Sequence, residues 1–86
     1  MLPDHYRLAA AMMVGTDQAR VDALLRGVEA RISGGYRAGA PSLRLIARES
    51  GLDHAMVVRD VQRYMAILRW AATEMEPAVE VKGKSG

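Results

Sequence analysis

Cysteine is absent from this 86-residue sequence. Without it neither a disulfide framework nor a cysteine-ligated zinc site can form, which excludes a small disulfide-rich secreted domain and a zinc finger. Stretches in which valine, threonine and aromatic residues alternate, as they do in strands, are also missing. Alanine, methionine, leucine and arginine dominate instead, and these residues favour helix. We therefore expect an all-α fold, a single-domain bundle of about four helices.

Long apolar runs are missing as well. The run at residues 8–14 has seven residues, which is too short to span a bilayer. Its flanks, Asp4, His5 and Arg7, are not those of a signal peptide. We expect a cytoplasmic protein with no membrane partner.

Residues that carry catalytic or metal chemistry are scarce. The two histidines are His5 and His54. A catalytic histidine needs a nucleophile and an orienting carboxylate, and a metal-binding histidine needs companion ligands. Asp53 and Asp60 do not complete such a site, so we expect no enzymatic activity, no metal and no cofactor.

The N-terminal half contains two amphipathic helices. Asp4 can cap the first, from about His5 to Val14, whose apolar face is Tyr6, Ala9, Ala10 and Met13. Thr16 is expected to cap the second, whose apolar face is Val21, Leu24, Leu25, Val28 and Ile32. The second helix should end near Gly34. Residues 34–41, GGYRAGAP, are expected to form a loop.

Residues 42–64 have the spacing of a helix-turn-helix. Ser42 can cap a short helix with Ile46 and Ala47 on its inner face. Gly51 stands where the chain leaves that helix, a position that favours a left-handed backbone. Leu52 follows to fill the corner, and Asp53 can cap the second helix. Val57 and Val61 should face back onto Ile46 and Ala47.

Positive charge is concentrated on this motif and its flanks. The whole chain has a formal charge of +2, yet residues 31–70 contain seven arginines against three acidic residues. Ten of the twelve basic residues are arginine, whose planar guanidinium suits phosphate and guanine. The alternative is an ordinary solvated surface.

The string IARESGLDHAMVVRDV at residues 46–61 resembles the helix-turn-helix of bacterial repressors, especially the lac repressor family. The likeness lies in seven positions: Ile46, Ala47, Ser50, Gly51, Leu52, Val57 and Val61. It covers about a fifth of the chain. Asp60 departs from the pattern, because many such motifs have an aliphatic core residue there. The short, arginine-rich, helical chain as a whole also resembles small repressors of broad-host-range plasmids, of the KorC type.

These features predict the residues that contact DNA. The outward face of the second helix holds the expected base-reading residues His54, Ala55, Val58, Arg59 and Gln62, of which the resemblance marks His54, Ala55 and Arg59. Expected phosphate contacts are Ser42, Arg44, Arg48, Arg63, Tyr36 and Arg37. Alternatively, the Tyr36 ring packs on the core and Arg37 is solvated. Asp60 is expected to pair with Arg59 or Arg63 and to point away from DNA.

The last helix carries more apolar surface than one small domain can cover. The pattern predicts a helix from His54 to Glu76, ended by Pro77, and a flexible tail at 77–86. Its second half, 64–76, is expected to form a homodimer interface containing Tyr64, Ile67, Leu68, Trp70, Ala71 and Met75, since a chain of this size is only marginally stable alone. The alternative places Trp70 in the monomer core.

Taken together, the sequence predicts a repressor with a DNA-binding domain at 1–76. It would bind a palindromic operator as a homodimer, with no small-molecule effector. The alternative is a small helical adaptor or inhibitor that binds another protein through the same shape.

Overall fold

In the computed structural model the chain is helical, and the structure describes residues 2–85, without the side chains of Tyr36 and residues 75–85. The described elements are α1 (Asp4–Val14), α2 (Gln18–Ile32), a 3-10 helix (Gly35–Ala38), α3 (Leu43–Ser50) and α4 (His54–Ser85). None of the described residues forms a strand. The expected all-α bundle of four helices is confirmed.

The first two helices begin one residue away from their predicted starts. Asp4 lies inside α1 and forms no cap, since Pro3 holds the N-cap position without a side-chain hydrogen bond. Asp17, not Thr16, caps α2, and its Oδ1 accepts hydrogen bonds from the backbone N–H groups of Ala19 and Arg20 at 3.0 and 3.4 Å. The carboxylate therefore satisfies two amide groups at the start of α2, which a hydroxyl does less strongly.

Helix α2 is the centre of the bundle and contacts α1, the 3-10 helix, α3 and α4. The buried apolar side chains are Ala10, Val21, Ala23, Leu24, Val28, Ala30, Ile46, Ala47, Val57, Val61 and Tyr64. From the predicted face of α2, Val21, Leu24 and Val28 are buried, whereas Ile32 is half exposed. On α1 only Ala10 is fully buried, Tyr6 and Met13 pack at its edge, and Ala9 is exposed.

The segment before α3 and the end of α4 differ from their predictions. The stretch expected to be a loop at 34–41 contains the 3-10 helix Gly35–Ala38. Helix α4 runs to Ser85, so it does not end at Pro77. The flexibility of 77–86 stays a prediction, because the side chains there lie outside the described residues. Among the described residues, no helix combines the length and the apolar character needed to cross a bilayer.

Candidate nucleic-acid interface

The turn between α3 and α4 has the predicted construction. Gly51 adopts φ 68° and ψ 30°, the left-handed conformation that glycine tolerates best. The Leu52 N–H then donates to the Ala47 carbonyl oxygen at 2.9 Å, which closes the end of α3. Asp53 follows, and its Oδ2 accepts from the Met56 N–H at 3.2 Å. Two helices are thus joined by three residues, of which Gly51 and Leu52 donate their N–H groups back to α3.

The apolar residues of the motif face one another as expected. Ile46 and Ala47 of α3 are buried, and so are Val57 and Val61 of α4. Leu52 is half-buried and packs against this cluster. The predicted core of the helix-turn-helix is therefore confirmed.

Asp60 pairs with a residue that the sequence did not suggest. Its side chain is 3% exposed and accepts two hydrogen bonds from Arg20 of α2, from Nε at 2.9 Å and from Nη2 at 3.1 Å. The expected pairing with Arg59 or Arg63 is wrong, because Asp60 faces the core and both of those arginines face solvent. The hydrogen bonds to Asp60 raise the pKa of Arg20 above its ordinary value. Asp60 therefore occupies a core position where many such motifs have an aliphatic residue, and the guanidinium group of Arg20 compensates its charge there.

The expected base-reading residues lie on the outer side of the first part of α4. Ala55, Arg59 and Gln62 are exposed, and His54 and Val58 are half-buried. At about 100° per residue, Arg59 projects nearly opposite to Val57 and Val61. The Arg59 guanidinium is therefore free to enter a groove of DNA.

The expected phosphate-binding residues are also exposed. Arg37, Arg44, Arg48 and Arg63 all have solvent-accessible side chains. Ser42 is exposed too, but its hydroxyl already accepts the Leu45 N–H at 3.1 Å as the cap of α3. The Tyr36 side chain lies outside the described residues. The arginines are thus available for phosphate, while the Ser42 hydroxyl also has a structural task.

The ion pairs divide the ten arginines into two groups. Three of the four on α1 and α2 are paired: Arg7 with Asp22 at 2.8 Å, Arg20 with Asp60 at 2.9 Å, and Arg26 with Glu49 at 2.8 Å. The other seven, residues 31, 37, 44, 48, 59, 63 and 69, form no ion pair with any described carboxylate and are exposed.

The acidic residues within 31–70 do not offset this charge. Glu49 and Asp60 are paired to α2, and Asp53 is engaged as the cap of α4. The motif and its flanks therefore present a surplus of guanidinium groups that pair with none of the described carboxylates. Arg31 and Arg69 also belong to this surplus, and nothing in their spacing in the sequence predicts a contact for them.

The predicted dimer residues fall into four groups. Ile67 and Trp70 are 51% and 64% exposed, and Leu68 and Ala71 are half-buried. The prediction that Tyr64 lies in the dimer interface is wrong. Tyr64 is buried in the monomer core, and its hydroxyl donates to the Tyr6 carbonyl oxygen at 3.0 Å. Met75 lies outside the described side chains.

Trp70 does not complete the monomer core, so that alternative is wrong. Arg59, Arg63, Ile67 and Trp70 recur at spacings of four, four and three residues and share one face of α4. The arginine half and the apolar half of α4 are therefore one continuous surface.

A groove of about 410 Å³ lies elsewhere, between the start of α1 and α2. Charged residues line much of it, including Arg7, Asp22 and Arg26. Two of these are paired with each other, and no three His, Asp or Glu side chains of the described chain come together as a metal site requires.

Comparison with protein-family models, with curated proteins and with solved structures gives no match in any of the three.

Proposed function

We propose that this chain is a sequence-specific DNA-binding repressor that binds an inverted-repeat operator as a homodimer through α3 and the first part of α4. The observation that carries the proposal is the group of seven exposed, unpaired arginines on the motif and its flanks. Guanidinium groups without a carboxylate partner are the electrostatic footprint of phosphate binding. The resemblance of residues 46–61 to lac-type repressors, and of the chain as a whole to small plasmid repressors, supports the same class, which acts in the bacterial cytoplasm.

In this proposal α4 enters the major groove with its first two turns. Arg59 donates two hydrogen bonds to O6 and N7 of a guanine, a contact worth about 1–3 kcal/mol of discrimination. Ala55 and Val58 supply apolar contact to a thymine methyl group. Arg44, Arg48 and Arg63 neutralise phosphates and set the orientation of the domain.

The second copy would pair through the apolar end of the same face. Ile67 and Trp70 are exposed at adjacent turns of α4, and tryptophan is a frequent anchor of protein interfaces. Arg59 and Trp70 are eleven residues apart, which is about 16 Å along a helix. If two α4 helices cross in opposite directions at Trp70, their Arg59 residues are separated by about 33 Å. This distance is close to the roughly 34–36 Å between successive half-sites on one side of DNA.

Repression follows from occupancy. A protein that covers a promoter needs no surface beyond the one that binds DNA, whereas an activator must also contact the polymerase. The proposed residues provide the surface that binds DNA. A repressor needs no further surface that contacts the polymerase.

The test is selection of bound duplexes from random DNA, followed by a gel shift with the enriched sequence. We expect one short inverted repeat to be enriched, with affinity that falls steeply as salt is raised. A scrambled duplex of the same length serves as the control. The absence of binding to either duplex at low salt would contradict the proposal.

The second candidate is a protein-binding adaptor or inhibitor, and one observation favours it. Leu8 and Met12, one turn apart on α1, are 65% and 81% exposed, away from the helix-turn-helix. Replacing both with lysine should leave operator binding unchanged if the chain is a repressor. A chain that binds no DNA and loses its partner on this change is an adaptor.

A further inference from the structure

We propose that Arg20 and Asp60 form a positioning pair that fixes the rotation of α4 about its own axis. The inference rests on the proposed DNA-reading function for its consequence, since rotation of α4 decides where Arg59 points. Arg20 lies in the first turn of α2, and Asp60 lies next to Arg59 in α4. Neither residue belongs to the expected DNA-contacting set.

The geometry of the pair restricts rotation more than an apolar contact would. The two parallel hydrogen bonds, at 2.9 and 3.1 Å, join the planar guanidinium to both carboxylate oxygens. Such a fork tolerates small changes of direction only. An aliphatic residue at position 60 could slide over α2 without losing a directional bond.

The burial of the pair argues against stability as its main role. Asp60 is 3% exposed and Arg20 33% exposed, so one charge is almost wholly removed from water. Replacing a buried ion pair by apolar residues of similar volume is often neutral or stabilising. Compared with an apolar contact, the ion pair adds a fixed orientation of α4 relative to α2.

A fixed direction matters for Arg59. The outer radius of a helix with side chains is roughly 5–6 Å, so a rotation of about 20° moves an outer atom by about 2 Å. Hydrogen bonds are confined to a window of a few tenths of an ångström. A rotation of that size would therefore break a two-bond contact between Arg59 and guanine while leaving phosphate attraction almost intact.

The principal variant replaces both partners, Arg20→Met with Asp60→Leu, so that no charge is left unpaired. The first readout is the distance distribution between spin labels at Arg31→Cys on α2 and Gln62→Cys on α4. The labels attach only at these two positions, because the chain has no cysteine of its own. The second readout is the ratio of affinities for the selected operator and a scrambled duplex. Thermal unfolding establishes that each variant is folded.

We expect the double variant to be at least as stable as the parent. Its label distribution should broaden, and its affinity ratio should fall about tenfold or more, with the salt dependence of scrambled-duplex binding unchanged. The matched control is Arg7→Met with Asp22→Leu, which removes the exposed pair between α1 and α2 and should alter neither readout. Arg20→Lys, which keeps the charge but not the fork, should give an intermediate result and carries the test if the double variant does not fold.

A label distribution as narrow as that of the parent would overturn the inference, and so would a broadened distribution with an unchanged affinity ratio. If the parent protein shows no sequence preference, the proposed function fails by itself. The label distances still decide in that case whether the pair fixes α4.

Discussion

Gly27 of α2 lies directly against Val61 of α4, so closely that a Cβ atom on Gly27 would be 2.5 Å from Val61 Cγ2. The same Cβ would lie 3.0 Å from Leu43 Cδ2 of α3. Gly27 therefore marks the point where all three helices of the site meet. Since Asp60 is bonded to Arg20, consecutive residues of α4 are both held by α2.

Replacing Gly27 with alanine should destabilise the protein. Overpacking of a tight core costs about 1–3 kcal/mol, and the higher helix propensity of alanine offsets about 1 kcal/mol of that cost. We expect a net loss of about 1 kcal/mol in the free energy of unfolding, because the stiff Val61 cannot move aside easily. Urea unfolding followed by circular dichroism measures it.

A double-mutant cycle with Val61→Ala tests the cause. Val61→Ala removes the methyl group that a Cβ on Gly27 would meet, so the double variant should be more stable than the sum of the two single losses predicts. Strict additivity would show that the close approach is not what makes Gly27→Ala unfavourable.

Replacing Tyr64 with phenylalanine should cost about 0.5–1.5 kcal/mol, the net value of one hydrogen bond. The Tyr64 hydroxyl donates to the Tyr6 carbonyl oxygen. Burial raises the pKa of Tyr64 above its usual 10.0, and the nearby Tyr6 contributes a smaller increase.

This pKa shift also predicts a pH dependence. The unfolded chain loses the Tyr64 proton first as pH rises through about 10, so the folded state loses stability there and keeps it at lower pH. The phenylalanine variant should lack this part of the alkaline loss. Equal losses in both proteins, measured as melting temperature against pH, would contradict it.

Replacing Arg59 with alanine should weaken the preference for the operator while salt-sensitive binding to scrambled DNA remains. The expected loss is about 1–3 kcal/mol of discrimination, because the guanine contact disappears and the phosphate contacts stay. Arg69→Ala is the matched control, since Arg69 is an exposed arginine of the same helix that is not among the expected base-reading residues. An operator preference that Arg59→Ala leaves unchanged would refute the assignment.

Arg48 and Arg26 offer a comparison of unpaired and paired arginine. Arg48→Gln should lower the slope of log affinity against log salt by about 0.9, the value for one phosphate contact. Arg26→Gln should leave the slope unchanged, because Arg26 is bonded to Glu49 at 2.8 Å. Equal effects of the two changes on the salt slope in binding titrations would mean that ion pairing does not decide which arginines contact phosphate.

Trp70→Ala should abolish dimerisation without unfolding the subunit. Trp70 is 64% exposed in the monomer, so its removal takes little from the core, whereas an interface would lose its largest apolar group. Sedimentation should show twice the 9.4 kDa chain mass for the parent and the chain mass for the variant. Leu8→Ala on α1 is the control. A parent protein that sediments only as a 9.4 kDa species would exclude the dimer.

The local features of the site were predictable from the sequence. Gly51, Asp53 and Ser42 act through atoms within a few residues, so turn and cap rules identify them. Val57 and Val61 were predictable because helical spacing fixes which side chains share a face.

The contacts between distant helices were not predictable. Arg20 and Asp60 are 40 residues apart, and helical spacing says nothing about which cation reaches a buried acid. The role of Gly27 has the same origin, since its neighbours lie on α3 and α4. Tyr64 was misplaced because periodicity shows an apolar face of α4 but not that α1 covers it.

The shared face of α4 has a consequence for how DNA and the second subunit influence each other. Arg63 lies one turn before Ile67 on that face, so the side of α4 proposed to meet phosphate continues directly into the side proposed to pair. With the two α4 helices crossing at Trp70, the Arg63 residues are about 21 Å apart, which is too far for strong repulsion at physiological salt. One duplex can therefore engage the arginines of both subunits at once. Operator DNA should therefore act as a template for dimer assembly and, by reciprocity, the assembled dimer should hold the operator more tightly.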